Sequence, residues 1–349
     1  MANKIAFVNN KGGSGKTTTT TNIAGAIHQL NPEKKILIFD VDAQANAGRQ
    51  FDIEPNSSDK NAYDVFRKNV SPEEAIINTG IENIDMITGG IQLNFFEFNE
   101  IQDAENLGID SIEKLINKSD EYTKQFSTNL ILNVLKEIEK NDYDIASINI
   151  DNISQLKSME LQPDFKSKYD IYAEQNKFKS HSDKYFSQIS GIINEIDQKY
   201  DFILFDTPPD LHSATSSIMS VADQIIVPFT PDNFSLDGIN NIIEHANWIK
   251  ENFNPELKIG GLLITNFKKQ TIMHTTIALS IIDFATTHNI PYFTTRIPNG
   301  IRIASATARE GVPATLTVNP KHISQKNKAI KSYYDLIQEW TKKKIISLD

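Results

Sequence analysis

The 349-residue sequence contains no cysteine. That removes disulfides, thiolate zinc sites and Cys-ligated iron–sulfur clusters from consideration. Arginine is scarce: Arg49, Arg67, Arg296, Arg302 and Arg309 are all there is. Long apolar runs are missing too, and none approaches the roughly 20 residues that a membrane helix needs. The opening MANKIAFVNN lacks the layout of a secretory signal and runs straight into a strand-like segment, so a cytoplasmic protein is expected. The length suits one large domain or two modest ones.

A net charge of −10 argues at first against a nucleic-acid partner. Its distribution argues otherwise. Residues 91–200 carry 12 Lys against 20 Asp/Glu, whereas residues 259–349 carry 12 Lys/Arg against 5 Asp/Glu. An acidic middle and a basic C-terminal third act on partners separately.

Short apolar runs alternate with helical patterns. KIAFVN (4–9) reads as a buried parallel strand, followed by a helix from Lys16 to about Leu30. KILIFDVD (35–42) is a second buried strand, which completes a βαβ unit. Ser71 and Pro72 open a further helix, and 84–88 reads as a strand. Beyond the middle, strands are expected at 200–206, 224–229, 258–265 and 291–297. A helix at 235–250 carries Leu236, Ile239, Ile242, Ile243, Ala246 and Ile249 at helical spacing. The pattern predicts an α/β fold with a doubly wound, mainly parallel sheet, whose ligands sit at the C-terminal strand ends. We expect residues 1–90 and 200–349 to form that domain and 91–199 to be an acidic, largely helical insertion. Residues 135–151 echo 193–206; chance likeness and an extra strand or partial duplication both account for it.

NKGGSGKTTTTTN, from Asn10, lies between the first strand and helix. Gly12, Gly13, Ser14 and Gly15 offer consecutive backbone N–H groups at a helix N-terminus, a cradle for a polyphosphate anion. Lys16 is placed for the β/γ-phosphates, Thr17 for Mg²⁺ and Thr18 for the α-phosphate. A standard phosphate loop has glycine five residues before Gly15; here Asn10 stands there and Lys11 follows it.

KGGSGKTT resembles the deviant Walker A motif of the ParA family of partition ATPases, in the larger group that includes MinD. The resemblance covers about 3–90 and 199–340 and implies a P-loop ATPase that uses ATP and Mg²⁺. It implies that Lys11 reaches the phosphates of a second copy in an ATP-sandwich homodimer. FDVDAQANA (39–47) is similar to the family's D-x-D-P-Q-x-N-A, with Ala43 in place of proline. That implies that Asp42 orients the attacking water and Asp40 helps to hold Mg²⁺. FILFDTPPD (202–210) resembles the Walker B strand, which makes Asp206 a Mg²⁺ ligand through water. TRIPNGIRIASATAREGVPA (295–314) resembles the loop bordering adenine, with Pro298 kept but Asn299 and Gly300 departing from the pattern. Asn266, at a strand end, is a further candidate for the base. The family also implies nonspecific DNA binding, for which Lys268, Lys269, Arg296, Arg302, Arg309 and Lys321 are the candidates. A centromere-binding, ParB-like partner and a nucleoid-associated location follow. Cysteine-dependent relatives are excluded by composition. A ParA-like ATPase that positions a protein cargo and a MinD-like membrane-bound regulator stay open, although the C-terminal LIQEWTKKKIISLD (336–349) is a poor membrane helix.

Overall fold

The computed structural model describes residues 1–54, 60–95, 189–324 and 327–348. Its strands are β1 (Asn3–Phe7), β2 (Ile36–Asp40), β3 (Ile77–Asn78), β4 (Ile84–Ile87), β5 (Phe202–Asp206), β6 (Gln224–Phe229) and β7 (Lys258–Ile264). They form one sheet in the order β3-β4-β2-β5-β1-β6-β7, parallel throughout except for the short β3. β2 and β5 are buried along their whole length, as expected of strands covered on both faces.

β1 lies between β5 and β6. From β1 the chain moves toward β2 on one side, and from β6 toward β7 on the other. The order therefore switches beside β1, where a doubly wound sheet opens its ligand crevice. Helix α1 (Lys16–Leu30) follows β1 directly, so its N-terminus opens into that crevice. Right-handed crossovers running in opposite directions put α1 and α6 (Ser235–Asn252) on opposite faces. The intervening helices are α2 (Asn46–Arg49), α3 (Ala62–Phe66), α4 (Pro72–Ala75) and α5 (Ser213–Val221). Ser71 caps α4 in a reciprocal box with Glu74, as the sequence implies. Helices α7 (Ile272–Thr287), α8 (Ile301–Glu310) and α9 (Lys328–Lys342) follow. On α9, the fully buried Trp340 packs against Phe7 and Phe293, with ring centroids 6.3 and 5.8 Å away.

One expected strand is not there. Within 291–297 only Tyr292 pairs, with Leu262, and the next isolated pairing, Phe267 with Pro298, falls just beyond the segment. The reason lies in the middle of the segment. The backbone N–H groups of Thr294 and Thr295 donate to the Glu339 carboxylate of α9, at 2.8 and 2.9 Å, and so leave the ladder. The expected echo at 135–151 and most of the expected insertion lie outside the described residues. At its edge, residues 189–196 are helical with Ile189, Ile192, Ile193 and Ile196 buried, and Asp197 accepts the Ala2 N–H at 2.8 Å.

Candidate nucleotide site

Gly13 and Gly15 both adopt positive φ, 73° and 87°, which glycine reaches without the steric cost a side chain would impose. Their turn aims the loop's backbone into the crevice. At the start of α1 no side chain caps the helix and no acidic residue occupies the first turn. Its orphan N–H groups and the positive end of its dipole are left for an anion. The loop is braced from β7. Thr265 Oγ1 donates to the Ser14 carbonyl at 2.6 Å, and Asn266 Nδ2 donates to the Gly13 carbonyl at 3.3 Å.

A cleft of about 670 Å³ opens above these groups. Gly12, Gly13, Ser14, Gly15, Lys16, Thr17, Thr18, Asp42, Asn266 and Pro298 all line it, so the structure brings most of the expected nucleotide residues together. Lys16 Nζ is folded inside the loop, donating to the carbonyls of Asn9 (2.9 Å) and Lys11 (3.3 Å). Burial pushes the Lys16 ammonium below the usual lysine range, and the carboxylates of Asp206, Asp42 and Asp210 oppose that change.

Three aspartates stand close by in different environments. Asp40 and Asp206 are register partners on adjacent strands, and both are fully buried. Burial pushes the Asp40 carboxyl well up, and the charge of Asp206 adds to it. Both Asp40 oxygens accept backbone N–H groups, from Asp42 at 2.9 Å and Ala47 at 3.1 Å, which ties β2 to α2. Asp206 differs: neither buried oxygen has a well-formed hydrogen bond among the described residues, although the Thr17 and Thr20 hydroxyls lie close enough to favour the carboxylate. Burial raises its carboxyl as well, while the nearby Thr17 hydroxyl and Lys16 pull it back. Two such carboxylate oxygens beside a threonine hydroxyl make a hard-oxygen set suited to a divalent cation. No three or more His, Cys, Asp or Glu are placed to hold a metal ion together among the described residues, so such a cation would draw its remaining ligands from phosphate oxygens and water. Asp42, at the cleft wall, is raised by burial, against the Gln44 N–H and Lys16.

Lys11 lies elsewhere. It lines an adjoining pocket of about 230 Å³ with Phe234 and Ser235, and its ammonium pairs with Asp232. The candidate DNA residues are spread over several elements. Lys268 and Lys269 are exposed between β7 and α7. Arg296 is half-buried, its guanidinium 4.9 Å from the centre of the Phe267 ring. Arg302 and Arg309 are exposed on α8, and Arg302 Nη1 donates to Asn327 Oδ1 at 2.7 Å. Lys321 is exposed in the 3₁₀ turn Pro320–His322.

Several contributors to the cleft carried no signal in the sequence. Arg49 and Gln50, Ile303 and Thr307 of α8, and Tyr333 of α9 all line it. Gly89 is another: a Cβ there would fall 2.0 Å from the Asp42 carbonyl oxygen and 3.3 Å from Asp40 Oδ1. Only glycine lets the end of β4 pass under the aspartate turn. The Gly300 departure has a similar origin, since a Cβ there would meet Ala329 Cβ at 2.7 Å.

A glycine-turned loop feeding an uncapped helix at the switch point of a parallel sheet, with a buried carboxylate at the neighbouring strand end, defines a P-loop nucleoside-triphosphatase fold. A family described as AAA domain (AAA_31) matches residues 2–161 and 121–259. The chain belongs to that family, in its ParA/MinD-type branch of partition ATPases. A ParA family protein of Mycoplasma pneumoniae is 27% identical over 336 residues, covering 95% of this chain and 97% of its own. The sporulation initiation inhibitor protein Soj of Bacillus subtilis is 20% identical over 340 residues, covering 97% and 98%. Among solved structures, cobyrinic acid a,c-diamide synthase from Mycobacterium smegmatis, bound to an ATP analogue and magnesium, superposes with a TM-score of 0.61 at 16% identity. It covers 99% of this chain and 98% of its own, a likeness of fold.

Proposed function

We propose that this chain is an ATP-hydrolysing DNA-partition switch. Its ATP-bound homodimer holds nonspecific DNA, and a centromere-binding partner triggers hydrolysis to ADP and phosphate. The observation that carries this reading is the cleft itself: uncapped helix N–H groups, a loop-held Lys16 and the buried Asp206 carboxylate, in a chain with ParA-type relatives along its length.

Each residue has a task in this reading. The N–H groups of residues 12–18 and the Lys16 ammonium bind the phosphates. Thr17 and Asp206 hold Mg²⁺, which neutralises phosphate charge when bound. Asp40, expected from the sequence to help hold Mg²⁺, has both oxygens taken up by backbone N–H groups and in this reading shapes the turn that presents Asp42 instead. Asp42 orients the attacking water at the cleft wall. Asn266 and Pro298 border the base. Lys11 leaves Asp232 to meet the phosphates of the second copy, supplying a fixed cation where charge develops. The exposed basic residues of the C-terminal third take the DNA phosphates.

The test is DNA binding as a function of salt, with ATP and with ADP. We expect tight, sequence-independent binding with ATP that weakens steeply with salt, and little with ADP. Equal and salt-insensitive binding in both states would rule the switch out.

A further inference from the structure

The cleft wall holds a chemically labile pair. Asn299 and Gly300 both line it, next to Pro298. They form the one Asn-Gly dipeptide in the sequence.

Packing dictates the second member of the pair. A Cβ at position 300 would meet Ala329 Cβ of α9 at 2.7 Å, so α9 leaves room there for glycine and nothing larger. A side chain at that position would screen the backbone nitrogen from the preceding residue; glycine leaves it open to approach. The fold thus sets an asparagine amide beside the least shielded nitrogen a chain can offer.

Neither reacting group is engaged. Asn299 is exposed, and its side-chain amide makes no hydrogen bond among the described residues. The Gly300 N–H donates to no acceptor among them either. Hydrogen bonds occupy most backbone N–H groups of a folded chain and keep them from reacting; this one is free. The backbone is tied at the two flanks of the pair. The Asn299 N–H donates to the Phe267 carbonyl and the Gly300 carbonyl accepts the Ile303 N–H, each at 3.1 Å.

We propose that Asn299 and Gly300 form a self-modification site, at which the Asn299 amide becomes a carboxylate and the new charge weakens nucleotide binding. The second half rests on the functional reading above; the first does not. Water or hydroxide takes the proton of the Gly300 N–H as the nitrogen attacks Asn299 Cγ. The N–Cγ bond forms, the Cγ–Nδ2 bond breaks, and Nδ2 leaves as ammonia. Water then opens the cyclic imide. Attack at Cγ leaves aspartate; attack at the Asn299 main-chain carbonyl leaves isoaspartate, with the chain running through Cγ. The net change is amide and water to carboxylic acid and ammonia, with nothing oxidised or reduced. Both products are ionised at neutral pH. A negative charge added to the wall of a cleft that takes a polyphosphate opposes the ligand. Isoaspartate also lengthens the main chain between the Phe267 and Ile303 anchors.

Trypsin releases the pair in IPNGIR, residues 297–302, between Arg296 and Arg302. Full-length protein, folded and urea-denatured, should be incubated side by side at mildly alkaline pH. The peptide is followed by mass and by uptake of heavy oxygen from labelled water. Affinity for a fluorescent ATP derivative with Mg²⁺ is read on the folded samples of wild type, Asn299→Gln and Asn299→Asp. We expect folded wild type to convert within about tenfold of the denatured rate, since only protection by structure slows it further. Its affinity should fall as the peptide converts, toward that of Asn299→Asp, which binds up to about tenfold more weakly than fresh wild type. Asn299→Gln, whose longer side chain closes the ring poorly, should keep its starting affinity throughout. A folded chain that converts more than about tenfold slower than the denatured one would overturn the site. Conversion without loss of affinity would overturn the charge effect. If wild type binds no nucleotide at the start, the functional reading fails, while the peptide still decides the modification.

Discussion

Asp206 shows how a single residue can tie the stability of a fold to pH. Its carboxylate is fully buried and without a well-formed hydrogen bond among the described residues, on a strand beside a second buried carboxylate. Burial raises its pKa in the folded chain to about 7, above the unfolded value. The sign follows from proton counting. Above the ordinary carboxylate range the unfolded chain gives up this proton freely, whereas the folded chain retains it or holds an unpaired charge. The folded state thus binds more protons, and stability falls as pH rises through that window. Asp206→Asn keeps the shape without the charge. We expect it to stabilise the nucleotide-free protein at pH 8 by up to a few kcal/mol, since each tenfold change in proton affinity corresponds to ~1.4 kcal/mol. The gain should fade as pH is lowered from ~7 through ~4 and be gone near ~3 and below, where the wild-type carboxyl is protonated in both states. Thermal melts of both proteins across that range, without nucleotide, check it. A variant less stable than wild type at pH 8 would contradict the account.

At the scale of elements, the aspartate turn depends on a neighbour. Asp40, Asp42 and α2 are held by two N–H bonds, and β4 passes so close that position 89 has room for nothing beyond a hydrogen. Gly89→Ala pushes a methyl into the Asp42 carbonyl, and backbone has to move. We expect a loss of about 1–3 kcal/mol, the usual range for overpacking, together with weaker nucleotide binding as Asp42 moves. Denaturant unfolding and nucleotide titration of the same variant would separate the two effects. This is also where legibility ends. The loop from Lys11 to Thr18, the strand carrying Asp40 and the strand carrying Asp206 were readable because their chemistry is local: a glycine turn, a helix start, an acid closing an apolar run. Gly89, Arg49 and Tyr333 were not, because they reach the cleft through tertiary packing that no spacing encodes. The expected strand at 291–297 failed for the same reason. Its composition suits a strand, but a glutamate some 45 residues later takes its N–H groups.

For the whole molecule, charge layout is the feature with a measurable consequence. The basic C-terminal third presents Lys268 and Lys269 side by side and exposed, at the C-terminal edge of the sheet that also carries the cleft. If both meet DNA phosphates, replacing both with alanine weakens binding uniformly across sequences. The slope of log affinity against log salt should also become shallower by about 2. Binding isotherms at four or more salt concentrations give that slope. A double variant with wild-type affinity and slope would remove these two lysines from the interface.

The central position of β1 also has a consequence in time. Its partners are β5 and β6, paired as Asn3 with Phe202 and Ile5 with Gln224. A ribosome adds roughly 5–20 residues per second. β1 therefore waits on the order of 10–40 s for its first neighbour, with the phosphate loop hanging from an unpaired strand. The nucleotide pocket is among the last parts of the chain to become real during synthesis. Acquisition of ATP binding by a nascent chain would mark the completion of the sheet, and the apolar KIAFV strand is the segment that needs shelter until then.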